Sequence, residues 1–398
     1  MRLAPAPDGS VTVSGRDFPT NKGGLCQKGW TSAALLNAPD RSRTPLIRDQ
    51  KGGPLREASW DEAYSRVVLG VRAAQSLGGN DAVAVFGGGG LTNEKAYTLG
   101  KFARAVLRTR YIDYNGRFCM SSAAAAANRT FGLDRGLPFP VEDLASADSI
   151  LLVGSNVAET MPPFVQHLAG VRHRGGLIVV DPRRSATAAL TSDGGGVHLQ
   201  PLPGSDSAVL LGILHVVIAS GALDEPFLNQ RTTGWEAIAA RASSWWPERV
   251  ERESGVPAEQ IRHAAQVLSG AAAEGGSFVL TGRGAEQHAQ GTDTVQAAIN
   301  LALFLGLPGR ARGGFGTLTG QGNGQGGREH GQKSDQLPGY RMITDPAARE
   351  HIAGIWGISA DELPGPGVPA VELLHRLGTP DGPRMLLVHG SNLVVSSP

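Results

Sequence analysis

Cysteine is almost absent: the 398 residues contain two, Cys26 and Cys119. So small a supply excludes a disulfide scaffold and fits a reducing compartment, so the expected location is the cytoplasm. An excess of either charge is lacking too. Lys and Arg number 37 against 36 Asp and Glu, a net charge of +1. That balance leaves no electrostatic footprint for nucleic acid or an anionic membrane surface. No apolar run reaches the length that spans a bilayer. The opening MRLAPAPDGS has neither an apolar export core nor paired arginines. The phosphate-binding fingerprints GxGxxG, in a βαβ unit, and GxxxxGK(S/T) are missing, which argues against an ordinary NAD or ATP site.

Glycine, by contrast, is abundant at 55 residues and has no fixed period, so neither collagen nor a solenoid is indicated. The glycines follow apolar runs, where strands end and a backbone must approach a ligand closely. Strands are expected at 81–90, 149–156, 176–184, 277–284 and 384–392, and helices at 59–78, 93–108, 161–173, 206–221 and 292–306. Ser59 with Glu62 three residues on predicts a capping box. Two helices are expected within 234–274, and a long Gly-rich loop over 307–334. The alternation predicts an α/β, multi-domain protein with parallel Rossmann-like sheets flanked by helices. Its chemistry belongs at five strand ends: 87–90, 154–156, 181–184, 281–284 and 390–392.

Several loops have the residues to hold a nucleotide. Gly154, Ser155 and Asn156 open a helix that continues through Glu159 and Thr160. Asp181, Pro182, Arg183 and Arg184 put an acid for a ribose or guanine edge beside cations for phosphate. Gly204, Ser205 and Asp206 begin another helix. Each loop alone also reads as ordinary turn chemistry. TGQGNGQGGREHG (319–331) sets Arg328 among glycines and amides, an anchor for a small planar oxyanion or, alternatively, a solvated surface arginine. Cys119 lies at an expected strand-to-helix turn, where it is either a ligand or nucleophile or a small core residue.

Together these motifs resemble the molybdopterin oxidoreductase family, which holds molybdenum on two molybdopterin guanine dinucleotides, and most closely its bacterial assimilatory nitrate reductase branch. NKGGLCQKG, NGRFCMSS, VGSNVAET, VVDPRR, LPGSD, TGRGAEQHAQGTD, TGQGNGQGGREHG, QLPGYR and GSNLVVSSP carry the resemblance. It implies that Cys119 is the thiolate on molybdenum, that Arg328 steers nitrate, and that Met120 lines the substrate pocket. It implies that Asn115, Gly154 to Asn156, Glu159, Thr160, Asp181 to Arg184, Gly204 to Asp206, Arg283, Gln287, Gly320, Gln321 and Asn392 hold the dinucleotides. Cys26 becomes the last of four thiolates on a [4Fe–4S] cluster, with Lys28 between cluster and pterin. Three of those four cysteines are absent and the sequence stops at Pro398, just after the GSN loop, so under this resemblance the chain is expected to be truncated at both ends. The resemblance implies three regions: an Fe–S remnant of strands and loops at 1–42, a first dinucleotide domain from 43–118 with 345–398, and a second at 119–344. It also implies an electron donor, either a ferredoxin, a flavodoxin or an NADH-linked flavoprotein. Two alternatives stay open: a formate dehydrogenase or other Mo/W oxidoreductase of the same superfamily, and a non-catalytic cofactor-binding remnant.

Overall fold

The computed structural model describes residues 1–134, 136–274 and 276–397. They form two compact units: Met1–Ala33 with Met120–Gly320, and Ala34–Cys119 with Gln321–Pro398.

The first unit is built on five parallel strands in the order Gly314–Thr317, Ser277–Thr281, Ser149–Val153, Leu177–Val180, Val197–Leu199. Side chains alternate faces along a strand. Leu151, Val153, Ile178, Val180 and Val279 therefore pack into one apolar core, and Ile150, Leu152, Leu177, Val179, Phe278 and Leu280 into another. Both faces are buried, which is why these strands read as continuous apolar runs. Helices Asp206–Ala219, Ala258–Glu274 and Gly291–Phe304 contribute to the first core. The strand order reverses between Ser149–Val153 and Ser277–Thr281, the point where sheets of this kind open a crevice for ligands.

The second unit has three parallel strands, Met385–Val388, Val83–Gly87 and Ile112–Tyr114, with Val83–Gly87 in the middle. Helix Trp60–Gly78 starts at Ser59, whose Oγ accepts the Glu62 N–H at 3.1 Å. Only half of the expected capping box forms, because the Glu62 carboxylate is drawn to Arg56, at 2.7 Å.

The structure differs from the sequence reading in further places. Residues 234–274 hold three helices, Trp235–Ala242, Pro247–Ser254 and Ala258–Glu274, because Pro247 and Gly255 interrupt the pattern. Part of the expected 307–334 loop is the edge strand Gly314–Thr317 and the helix Gly324–Glu329. The 321–344 segment groups with the second unit, not with 119–320. Its Asn323 N–H donates to Gly89 O at 2.8 Å, and Arg104 donates to Lys333 O at 2.6 Å. Residues 1–33 group with the first unit: the Gln166 amide donates to Asn21 O at 3.0 Å, and His167 Nε2 lies 2.7 Å from Thr20 O. Among the described residues, no helix is long and apolar enough to cross a membrane.

Candidate functional site

In the first unit the C-terminal strand ends surround a cleft of about 450 Å³, within the range of small-molecule and cofactor sites. Gly154, Ser155, Asn156 and Thr160 enter it after the Ser149–Val153 strand, and Asp181, Pro182 and Arg183 after Leu177–Val180. Gly204 and Asp206 come from the start of the Asp206–Ala219 helix, Arg283 follows Ser277–Thr281, and Gly320 follows Gly314–Thr317. Eleven of the expected cofactor residues thus converge on one cavity. Glu159, Arg184, Ser205 and Gln287 do not line it. Glu159 instead accepts the Asn156 amide at 2.7 Å, and Ser205 donates to Leu202 O at 2.7 Å.

The lining offers both charges. Asp181 is held by the Arg183 N–H at 2.9 Å and the Ser185 hydroxyl at 2.7 Å. Burial raises the pKa of Asp206, a shift reinforced by Asp181 and opposed by His288 across the cleft. The Arg183 guanidinium has no acidic partner among the described residues. Arg283 pairs with Glu286 and donates to Met120 Sδ at 2.6 Å. Met120 is buried against that arginine. This donor set fits a nucleotide: a cation for phosphate, and carboxylates for a ribose diol or the N–H edge of a purine. Met161, His288 and Thr319 also line the cleft, and none of the three is among the cofactor residues expected from the sequence.

In the second unit, loops 88–90 and 390–392 follow parallel strands and meet closely. A Cβ on Gly88 would lie 2.3 Å from Gly390 O. The buried Ser391 Oγ beside them has no hydrogen-bond partner, an opening for a ligand acceptor or donor. Asn115 Oδ1 accepts the Gly89 N–H at 2.8 Å, and its amide donates to Gln321 Oε1 at 3.0 Å. Asn392 is exposed in the same loop group.

Cys119 lies, as expected, between the strand Ile112–Tyr114 and a helix. A short helix, Gly116–Cys119, precedes Met120 and the long helix Ser121–Phe131, because the Phe118 and Cys119 N–H groups both bond back to Asn115 O. The thiol is half-buried. Helix Gly324–Glu329 packs against this turn. Its Gly327 meets the Tyr114 ring so closely that a Cβ would lie 2.6 Å away, and the Tyr114 hydroxyl donates to Gly324 O at 3.0 Å. Arg328, on this helix, is 2% exposed; it is not a solvated surface arginine. Its Nη2 donates to Gln325 Oε1 at 2.5 Å.

A buried carboxylate braces the turn. Asp113 accepts Arg117 Nε at 2.9 Å, Ala370 N–H at 3.0 Å and Tyr114 N–H at 2.9 Å, and Arg117 reaches on to Asp335 at 2.7 Å. Burial pushes Asp113 up to about 6 against these donors, from an ordinary value of 3.8. A raised carboxyl pKa means that the folded state binds more protons than the unfolded one within that window. Stability from this group is therefore lost as pH rises from about 4 to about 6. Measured against Asp113→Asn by urea unfolding, the wild type should lose about 1–3 kcal/mol over that range. A pH-independent difference between the two would contradict the assignment.

Cys26 and Lys28 sit in and beside the short helix Gln27–Trp30 of the first unit, Cys26 half-buried and Lys28 exposed. The two cysteines fall in different units, and a [4Fe–4S] cluster takes four ligands. The residues present do not fit that cluster. Among the described residues, no group of three His, Cys, Asp or Glu side chains is placed to hold a metal ion.

Residues 41–363 match the family model described as Molybdopterin oxidoreductase. The assimilatory nitrate reductase catalytic subunit of Bacillus subtilis (strain 168) is 41% identical over 388 residues, covering 97% of this chain and 53% of that protein. Formate dehydrogenase H of Escherichia coli (strain K12) is 33% identical over 364 residues, covering 90% and 50%. Among solved structures, acetylene hydratase from Pelobacter acetylenicus superposes with a TM-score of 0.64 at 20% identity, over 77% of this chain and 41% of that one. That likeness speaks for the fold alone. The chain spans about half the length of the curated relatives it matches.

Proposed function

Because the chain belongs to the molybdopterin oxidoreductase family, we propose that it carries the cofactor and substrate residues of an enzyme that reduces nitrate to nitrite. The observation that carries the reading is Arg328: a buried guanidinium on a glycine-rich helix packed against the Cys119 turn. The 41% identity to an assimilatory nitrate reductase supports it.

A molybdenum–pterin cofactor in its bis(guanine dinucleotide) form, once bound, supplies two-electron oxygen-atom transfer. This chain's residues bind and orient. Cys119 offers a soft thiolate ligand. In the first unit, Arg183 and Arg283 attract phosphate while Asp181 and Asp206 accept N–H or hydroxyl donors. In the second, Asn115, Gln321, Ser391 and Asn392 surround the loops that would hold the other dinucleotide. Arg328 attracts the planar oxyanion; at ~4 Å and an effective dielectric of ~20 that attraction is ~4 kcal/mol before desolvation. Electrons are supplied by a ferredoxin, flavodoxin or NADH-linked flavoprotein. This chain's two cysteines do not complete a four-thiolate cluster.

The formate dehydrogenase relative at 33% identity keeps a second reading in play, and steady-state kinetics separates the two. With reduced viologen as donor, nitrate should be consumed and nitrite formed, with no oxidation of formate when an oxidised dye replaces the donor. Formate oxidation without nitrate reduction would transfer the proposal to the formate branch.

A further inference from the structure

The hairpin after the Arg328 helix breaks a local rule. Strands Gln336–Leu337 and Arg341–Met342 pair antiparallel, Leu337 opposite Arg341, leaving Pro338, Gly339 and Tyr340 as the loop. A three-residue hairpin loop favours a residue in the left-handed region, normally glycine. Gly339 takes such an angle, at φ +80°, but so does the residue that ends the loop, Tyr340, at φ +60°. A bulky side chain there strains the backbone, and such strain persists where the surroundings demand that side chain.

The demand is visible in its bonds. The Gln325 amide nitrogen donates to the Tyr340 hydroxyl at 2.7 Å and to Glu329 Oε1 at 3.0 Å. Both amide hydrogens are thereby used, so the group has one orientation, with Oε1 toward Arg328. There it accepts Nη2 at 2.5 Å. A flipped amide would set donors against donors on the guanidinium side. The loop is tied to the same helix by its backbone, since the Gly339 N–H donates to Glu329 O at 2.7 Å.

We infer that Tyr340 is a positioning residue for Arg328: its hydroxyl, with Glu329, locks the Gln325 amide, whose oxygen aims the guanidinium at the anion. The inference rests on the reading that Arg328 receives the substrate anion. It explains why a tyrosine occupies a position where glycine would relieve the backbone.

The test is the anion-dependent rise in thermal unfolding midpoint of the purified, cofactor-loaded protein, titrated with nitrate and separately with formate. Wild type, Arg328→Ala, Tyr340→Phe and Tyr340→Asn are compared; asparagine tolerates the left-handed region. Arg328→Ala should abolish the response. Both Tyr340 variants should raise the half-saturating anion concentration about five- to tenfold, although the asparagine variant has a relaxed backbone. A purely structural tyrosine would lower the midpoint and leave the half-saturating concentration where it was, which overturns the inference. If formate alone gives the Arg328-dependent response and Tyr340→Phe weakens it, the positioning role stands and the nitrate reading falls. No Arg328-dependent response to either anion overturns both.

Discussion

Cys119→Ala should strip molybdenum from the protein while leaving the chain folded. The thiol is half-buried, so its removal opens no large core cavity. The turn itself is held by backbone bonds from Phe118 and Cys119 to Asn115 O and by the Asp113–Arg117–Asp335 brace. None of these needs the sulfur. Loss of even an outer partner of a metal ligand costs about 10–100-fold in metal affinity or activity, so loss of the ligand should cost at least about 100-fold. Cys119→Ser substitutes a hard oxygen for a soft sulfur and should fall nearly as far. Full metal content in a folded Cys119→Ala protein would remove the residue from the metal site.

Arg328→Ala should act on substrate capture. Removing a charged hydrogen-bonding partner costs about 1.5–3 kcal/mol, or about 10–150-fold, and the loss should appear as a raised KM for nitrate more than as a lowered kcat. Arg328→Lys keeps the charge but loses the planar fork, so it should recover only part of the loss. Because Arg328 is buried, the alanine variant also frees the Gln325 oxygen, and a modest fall in unfolding midpoint should accompany the kinetic change. Unchanged nitrate kinetics would contradict the role given to this arginine.

The strand ends were legible because apolar runs stop at turn residues, at or near glycine in four cases and at Asp181–Pro182 in one: Val83–Gly87, Ser149–Val153, Leu177–Val180, Ser277–Thr281 and Met385–Val388 all lie where the pattern put them. The edge strand Gly314–Thr317 was hidden by its own composition. Its glycines let Phe139 and Leu137 lie flat on it, since a Cβ on Gly314 or Gly316 would come within 2.7 Å of Phe139 or 2.6 Å of Leu137. That packing involves residues some 175 positions upstream and leaves no periodic trace. The first unit's cleft was legible as separate loops, and the sheet's reversal of strand order is what gathers them. Asp113, Gln325 and Tyr340 were not legible: each acts through long-range hydrogen bonds or a backbone angle, neither of which a residue pattern records. The grouping of 321–344 was missed for the same reason, since its hold on Gly89 and Arg104 spans more than two hundred residues.

The central claim, that these loops and Cys119 hold a molybdenum bis(guanine dinucleotide) centre, is tested most directly by metal analysis and acid-released GMP on protein purified without air. One molybdenum and two GMP per chain is the expected result. Folded protein with neither molybdenum nor GMP, from a host that makes the cofactor, would contradict the account.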